Sequence, residues 1–426
     1  MGFQQGLSGL NTSAKNLDVI GHNIANSNTT GFKSSRSEFA AMIASSIGAT
    51  GGSNAGIGVE TSAIAQQFSQ GNISVTGNNL DVAINGNGFY TLQLADGSRA
   101  YTRAGNFKLD ADTGNIVTND GARVLGYPTD PLTGQRTSST LGPLTLPTGA
   151  PIPARQTSAM TVAFNLDARA ANAAGDPTAT PPVAATPRAT YGTSINVYDS
   201  QGVAKPVNLY FEKNGNNTWD VYTELDDPTA TPPVVASPIG QITFDNNGNI
   251  TGPAAAPPAT GFTLPLSVTP SPPNPNGLPA FQVEMKLDGM TQFGSKFGLS
   301  ELTQDGYSSG QLTGINIGED GIVMARYSNG VTRAEGQIAL ASFRNSQGLE
   351  AVGGNNWVET SASGQPMLGA PTDGNFGALR SGALEDSNVD LTAELVNMMT
   401  AQRAYQANAQ TIKTQDQVMS TLVNLR

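Results

Sequence analysis

A heptad stripe at each end of the chain, with none between, constrains the fold more than any other feature of the sequence. Near the start, Phe3, Leu7, Leu10, Ala14, Leu17, Gly21 and Ile24 recur at intervals of 4, 3, 4, 3, 4 and 3 residues. Near the end, Leu391, Leu395, Met398, Gln402, Tyr405, Ala409, Ile412, Asp416, Met419 and Val423 keep the same alternation, and no proline or glycine interrupts Leu384 to Arg426. Such spacing lines one face of a helix. The first helix should stop in the stretch Asn26–Gly31, which is rich in Asn, Ser and Thr and closes on a glycine. The second should run for roughly 36–40 residues from Leu391, over about 50 Å at 1.5 Å per residue. Ser387, Asn388 and Asp390 are its N-cap candidates.

Isolated helices of such length are marginal in water. Burial of one aliphatic stripe residue is worth roughly 1.5–3 kcal/mol, which neither helix gains without a partner in its own chain or a neighbour. The polar Gln402 and Asp416 on the second stripe point to a face that partly meets water or another chain's polar atoms. An ordinary coiled-coil dimer and a helix packed on its own domain are the plainer readings of the same pattern.

Between the stripes the chain reads as short strands. Asp81–Ile84, Gly88–Leu94, Ile195–Tyr198, Val207–Phe211, Ile322–Tyr327 and Gly336–Phe343 mix strand formers with turn punctuation. Asn119–Asp120–Gly121, Asn246–Asn247–Gly248, Asp320–Gly321 and Asn329–Gly330 suit tight hairpins. Residues 170–190, 226–238 and 252–279 are rich in Ala, Thr and Pro and should form extended loops. The expected architecture is mainly β with α-helical termini. The terminal helices form a coiled-coil-like layer, and nested, discontinuous β domains are inserted between them. The expected divisions are 1–30 with 380–426 for the helical domain, and 31–70 with 376–379 for a connecting segment. A middle β domain spans 71–145 with 288–375, and an outer inserted β domain spans 146–287.

Composition narrows the function. Cysteine is absent and His22 is the single histidine. That removes disulfides, thiolate nucleophiles, zinc–cysteine sites and the imidazole chemistry most hydrolases use near neutral pH. No cofactor or metal is expected. A net charge of -11 argues against nucleic acid and anionic lipid as partners. No run of 18 apolar residues predicts membrane insertion. Met1–Gly2 opens no pattern of a cleaved secretory signal, and Gly6 stands where myristoylation needs Ser or Thr.

Motifs with possible chemistry dissolve on inspection. Asp110, Asp112 and Gly114 have Gly and Asn in the wrong order for a calcium loop and lack the closing Glu, so a hairpin turn is expected. Gly86 and Gly88 lack the third glycine and the helix of a dinucleotide site. Asp226–Asp227 adjoin a proline tract and read as a solvated loop. His22 sits one residue off the stripe with Asp18 a turn earlier, which suits a surface hydrogen bond.

The segment Ala25–Asn26–Ser27–Asn28–Thr29–Thr30–Gly31–Phe32–Lys33 resembles the signature that follows the first helix in axial proteins of the bacterial flagellum. Gly6–Leu7–Ser8–Gly9–Leu10 and Leu17–Asp18–Val19–Ile20–Gly21–His22–Asn23–Ile24 extend the match. Ser387–Asn388–Val389–Asp390–Leu391 and Ala401–Gln402–Arg403–Ala404–Tyr405–Gln406–Ala407–Asn408 resemble the same family's closing helix. Thr291–Gln292–Phe293–Gly294–Ser295, Gln304–Asp305–Gly306–Tyr307, Tyr327–Ser328–Asn329–Gly330 and Gly336–Gln337–Ile338–Ala339–Leu340–Ala341 resemble its hook branch. Rod members are generally shorter, and Ser34–Gly58 carries no stiffening insertion of the distal-rod kind.

The resemblance implies a structural subunit, not an enzyme, that polymerises into a curved, flexible tube transmitting torque from rod to filament. Implied partners are further copies of itself, the distal rod protein, the hook cap protein, the hook–filament junction protein and the flagellar export apparatus. The implied location is the extracellular hook of the flagellum, reached without a cleaved signal peptide. The expected assembly surface comprises Phe3, Leu7, Leu10, Leu17, Ile24, Asn26, Gly31, Phe32, Leu391, Leu395, Met398, Tyr405, Ile412 and Met419. A distal rod or junction protein of the same family is the alternative. A secreted enzyme cleaving polysaccharide with paired carboxylates is a remote one, because it leaves both stripes unexplained.

Overall fold

In a computed structural model of the chain, residues 2–43, 56–226, 236–255, 261–270 and 277–424 are described. Helices stand at the two ends, α1 (Gly2–Ala25) and α2 (Leu391–Asn424), and nearly all the described structure between them is strand and turn. The Asp390 carboxylate caps α2 by accepting the N–H groups of Thr392 (2.9 Å) and Ala393 (3.1 Å). The chain divides into two compact units. The first comprises residues 1–149, 312–327 and 332–426, and the second comprises 150–311 and 328–331.

In the first unit, α1 is followed by an antiparallel hairpin, β1 (Ser35–Ile43) and β2 (Gly56–Gln66), registered from Ser35↔Gln66 to Ile43↔Gly56. The sequence reading treats 31–70 as a connector without strands. It misses this hairpin because Ser, Ala, Thr and Gly give the segment little apolar alternation. A larger antiparallel sheet then interleaves strands from both sides of the insertion. Thr332–Ile338 pairs Arg123–Tyr127, and Asn356–Val358 pairs Arg99–Thr102. Its turns are those the glycine-containing dipeptides predict, with Gly321 and Gly330 at φ +79° and +82°. Asp110 likewise closes a hairpin, between Lys108–Leu109 and Ile116–Val117. Phe89, Tyr101 and Trp357 form an aromatic core, flanked by Phe68 and Phe343. Two short ribbons, Val82–Asn85 with Ala378–Ser381 and Ile73–Val75 with Ala383–Glu385, return the chain to α2.

The second unit holds two five-stranded sheets. One centres on Ala159–Asp167, which pairs in parallel with Phe281–Lys286 and Thr291–Phe293 and antiparallel with Gly298–Gln304. The other is a meander running from Gly192–Tyr198 to Ile250–Gly252. Strict alternation makes the core. Val207, Leu209 and Phe211 are buried while Pro206 and Asn208 are exposed. They meet Met160, Val162, Phe164, Leu166, Trp219 and Val221 in one apolar cluster.

This pairing moves the unit's end. The sequence reading closes the inserted domain at 287, but Thr291–Phe293 and Gly298–Gln304 flank Ala159–Asp167, so the unit continues to Gln311. A second difference lies in the tract 252–279, read as loop throughout. Thr263–Val268 is a strand there, and its Pro265 is tolerated because the strand lies at a sheet edge. Residues 227–235, 256–260 and 271–276 of the proline-rich tracts lie outside the described residues.

The chain's two tryptophans fall one in each unit, Trp219 and Trp357. In single-tryptophan backgrounds, Phe164→Ala should cost the second unit about 3–5 kcal/mol. The Trp219 fluorescence transition should shift and the Trp357 transition should stay in place. The second unit also carries an acid-sensitive joint at Asp305. Burial works against its charge, but the N–H groups of Ala159 (3.0 Å) and Ser158 (2.8 Å), the Ser158 hydroxyl (2.6 Å) and Arg155 (3.2 Å) outweigh it. The carboxyl is held below its ordinary value of 3.8. Its stabilisation is complete above that value and is lost as pH falls through the lower folded value. Asp305→Asn should therefore flatten the acid limb of the Trp219 stability profile.

Candidate self-assembly surface

α1 and α2 lie side by side, and small residues set their approach. A Cβ on Gly6 would stand 3.0 Å from Ile412 Cγ1, and one on Gly9 would stand 2.9 Å from the Asn408 side-chain nitrogen. Asn408 Nδ2 also donates to Ser13 Oγ (3.4 Å), and Asn23 Nδ2 donates to Glu394 Oε1 (3.3 Å). Thr12, Val19, Ile20 and Asn23 of α1 and Ala401 of α2 are buried. The contact is polar and close rather than broadly apolar.

On α1 this packed face is not the heptad stripe, whereas on α2 it takes in the stripe residue Ile412. On α1 it runs through Gly6, Gly9, Thr12, Val19, Ile20 and Asn23, offset from the stripe Phe3–Leu7–Leu10–Leu17–Ile24. Phe3 (50%) and Leu7 (43%) stand exposed, while Leu10, Leu17 and Ile24 are half-buried. On α2, Met398 and Ile412 are half-buried. Leu391 (46%), Leu395 (46%), Tyr405 (37%) and Met419 (60%) are exposed. Gln402 and Asp416 are exposed as well. The pattern thus locates both helices, while their mutual contact uses glycine and asparagine, which carry no hydrophobic signal. Gly6, Gly9, Asn23 and Asn408 are the packing residues it overlooks.

Asn26, Gly31 and Phe32 belong to a junction at the base of the helices. Gly31 adopts φ +68°, and a Cβ there would lie 2.6 Å from the Ala104 nitrogen, so only glycine fits. Its N–H donates to the Glu385 carbonyl (2.8 Å). Phe32 is buried and meets the His22 ring edge-on, with centroids 5.5 Å apart. Asn26 donates to the His22 carbonyl (2.9 Å), finishing α1. Asn388 fastens the other end. Its Oδ1 accepts the Ser34 N–H (2.7 Å), and its Nδ2 donates to the carbonyls of Gln67 (2.7 Å) and Ser69 (3.2 Å).

Beneath the junction lies a buried charge cluster whose members are far apart along the chain and share no local pattern. Glu385 is fully buried between two cations. Lys33 Nζ donates to its Oε1 (2.5 Å) and Arg103 Nη1 to its Oε2 (3.2 Å). The Gly71 N–H reaches Oε1 (2.9 Å), Lys33 also donates to the Ser69 carbonyl (2.7 Å), and Arg103 to the Gly86 carbonyl (2.9 Å). Burial pushes both Lys33 and Arg103 below their ordinary values, against the opposing pull of Glu385. No cluster of metal-ligating side chains occurs among the described residues.

Comparison with known proteins extends along the whole chain. Family models match in succession. "Flagella basal body rod protein" covers residues 3–33, and "Flagellar hook protein FlgE/F/G D1 domain" covers 83–165. "Flagellar basal body protein FlaE D2 domain" covers 165–307, and "Flagellar basal body rod FlgEFG protein C-terminal" covers 380–425. The chain is 42% identical to the flagellar hook protein FlgE of Salmonella typhimurium over 433 residues, covering 100% of each. It is 42% identical to that of Escherichia coli K12, again over 100% of each chain. With that of Borreliella burgdorferi it shares 35% identity over 99% of this chain and 98% of the relative. Among solved structures, Helicobacter pylori flagellar hook protein FlgE2 shares the fold. Its TM-score is 0.53 at 17% identity, over 73% of this chain and 100% of that one.

Paired terminal helices closing on β units, matched end to end in this order, define a structural axial protein of the bacterial flagellum. Within that class the chain belongs to the flagellar hook protein family, whose members are structural subunits of the hook.

Substituting Glu385 by Gln leaves Lys33 and Arg103 buried without a counter-charge. It should cost the first unit about 3–5 kcal/mol, read from the Trp357 unfolding transition, with the Trp219 transition unmoved.

Proposed function

We propose that the chain polymerises with copies of itself into a curved, flexible tube that carries torque from rod to filament, with the exposed heptad stripes forming its tightest contacts. The single observation that carries this reading is the offset between packed face and stripe. The two helices satisfy one another through Gly6, Gly9 and Asn408 and leave Phe3, Leu7, Leu391, Leu395, Tyr405 and Met419 in water. Apolar residues repeated along a helix and left exposed mark a surface that gains free energy when covered. Further copies of this chain carry the same stripes and supply such a cover.

The second unit contributes in a different way. Its faces are low in charge and rich in Thr, Asn and Ser, so contacts between copies there are polar and wet. Water replaces such hydrogen bonds at small cost, which lets neighbours slide as the tube bends. At its two ends the tube abuts the distal rod protein and the hook–filament junction protein, and a hook cap protein guides its growth. The subunit reaches this extracellular site through the flagellar export apparatus.

The test uses stripe residues already exposed in the single chain. The double variant Leu395→Ser/Met419→Ser should keep the circular dichroism and both tryptophan transitions. Its critical concentration for sedimentable polymer should rise by at least about tenfold, the scale of losing one buried aliphatic contact per joint. Polymer formed at the unchanged concentration would defeat the reading.

A further inference from the structure

The first unit contains a groove of about 300 Å³ where α1, β1 and α2 converge, lined in part by Asn16, Arg36, Ser37, Glu394 and Asn397. Two of its polar atoms are orphaned. Ser37 is 8% exposed, and its hydroxyl oxygen has no hydrogen-bond partner. Glu394 receives Asn23 on Oε1, while its Oε2 is buried and has none. Arg36, the cation on the rim, is engaged with Glu38 at 2.9 Å. Buried polar atoms are rarely left unpaired, because each carries its full desolvation cost.

We propose that this groove receives the guanidinium of Arg403 from a second copy of the chain. The inference deepens the self-assembly reading above and rests on it. A carboxylate oxygen and a hydroxyl oxygen on residues lining one groove call for several donors. Guanidinium supplies five in a fixed fork, and a lysine ammonium acts as a point charge. Arg403 is the one arginine of α1 and α2 among the described residues, it is exposed, and no described residue forms a hydrogen bond or ion pair with it. It cannot serve its own groove. Nine residues separate it from Glu394 along α2, a rise of about 13 Å and two and a half turns, which sets the two side chains on opposite faces. One copy therefore presents a socket on one face of α2 and the matching plug on the other. That arrangement is heterologous and propagates from copy to copy, as a growing polymer requires.

The chain has no cysteine, so a pair introduced at Asn397→Cys and Arg403→Cys reports on this contact alone. Six residues along one helix put the two sulfurs too far apart for a bridge within the chain. Oxidised polymer of the full-length double variant should run as a ladder of covalent multimers on a non-reducing gel, while monomer should not. A second measurement uses Glu394→Gln and Arg403→Gln. Each should raise the critical concentration about tenfold, the scale of one charge-assisted hydrogen bond, and the double variant should cost no more than either alone. Polymer that forms without a ladder, or Gln effects that add, would overturn the plug and socket while leaving self-assembly standing. Failure of the unaltered chain to polymerise would instead strike the reading on which it rests.

Discussion

The buried carboxylate of Glu385 is the constraint on which the first unit depends. It lies 352 residues from Lys33 and 282 from Arg103 in sequence, yet it meets both. A lone charge there would be prohibitively costly, so the three segments that carry these residues must arrive together. Once they do, α1 and α2 start from a shared base. Gly31 hydrogen bonds the Glu385 backbone, and Asn388 crosses to Ser34, Gln67 and Ser69. Replacing such a cluster by apolar groups often leaves stability unchanged or raises it, so its value here lies in specificity. It leaves one way for the two chain ends to meet.

The two units are held by different physics. The second has a continuous apolar core with Trp219, Phe164 and Phe211 inside it. The helical layer of the first has glycines, an asparagine and a serine at its contact, with Ile412 against Gly6. Its order comes from the clamp at the base and from close backbone approach.

Much of this was legible in the residues. The 4–3 alternation located α1 and α2 almost to their ends, and the Asn–Gly and Asp–Gly pairs located the turns. The strand formers of Val207–Phe211 marked a strand there. What stayed hidden was pairing between distant segments. Nothing local joins Ala159–Asp167 to Thr291–Phe293, so the inserted unit was closed too early. The hairpin of β1 and β2 escaped because its small polar side chains carry almost no periodic signal. Lys33 reads as an ordinary surface lysine until the fold brings Glu385 to it. On the candidate surface, the exposed half of the stripe was readable, and its offset from the intrachain contact was not.

On the self-assembly reading proposed above, that offset lets one helix pair both hold together within a copy and bind the next. If the apolar stripes had faced each other, the monomer would have buried them and had little left to gain by assembly. If no intrachain contact existed, two isolated helices would be marginal and would lose more order to entropy on joining a neighbour. Placing glycine, asparagine and serine on the inner face and leucine, methionine and tyrosine on the outer one avoids both outcomes. The pair is already ordered within one copy, and on that reading the larger hydrophobic gain is reserved for the step that adds another. Preorganisation of this kind lowers the entropy lost on association without lowering its drive.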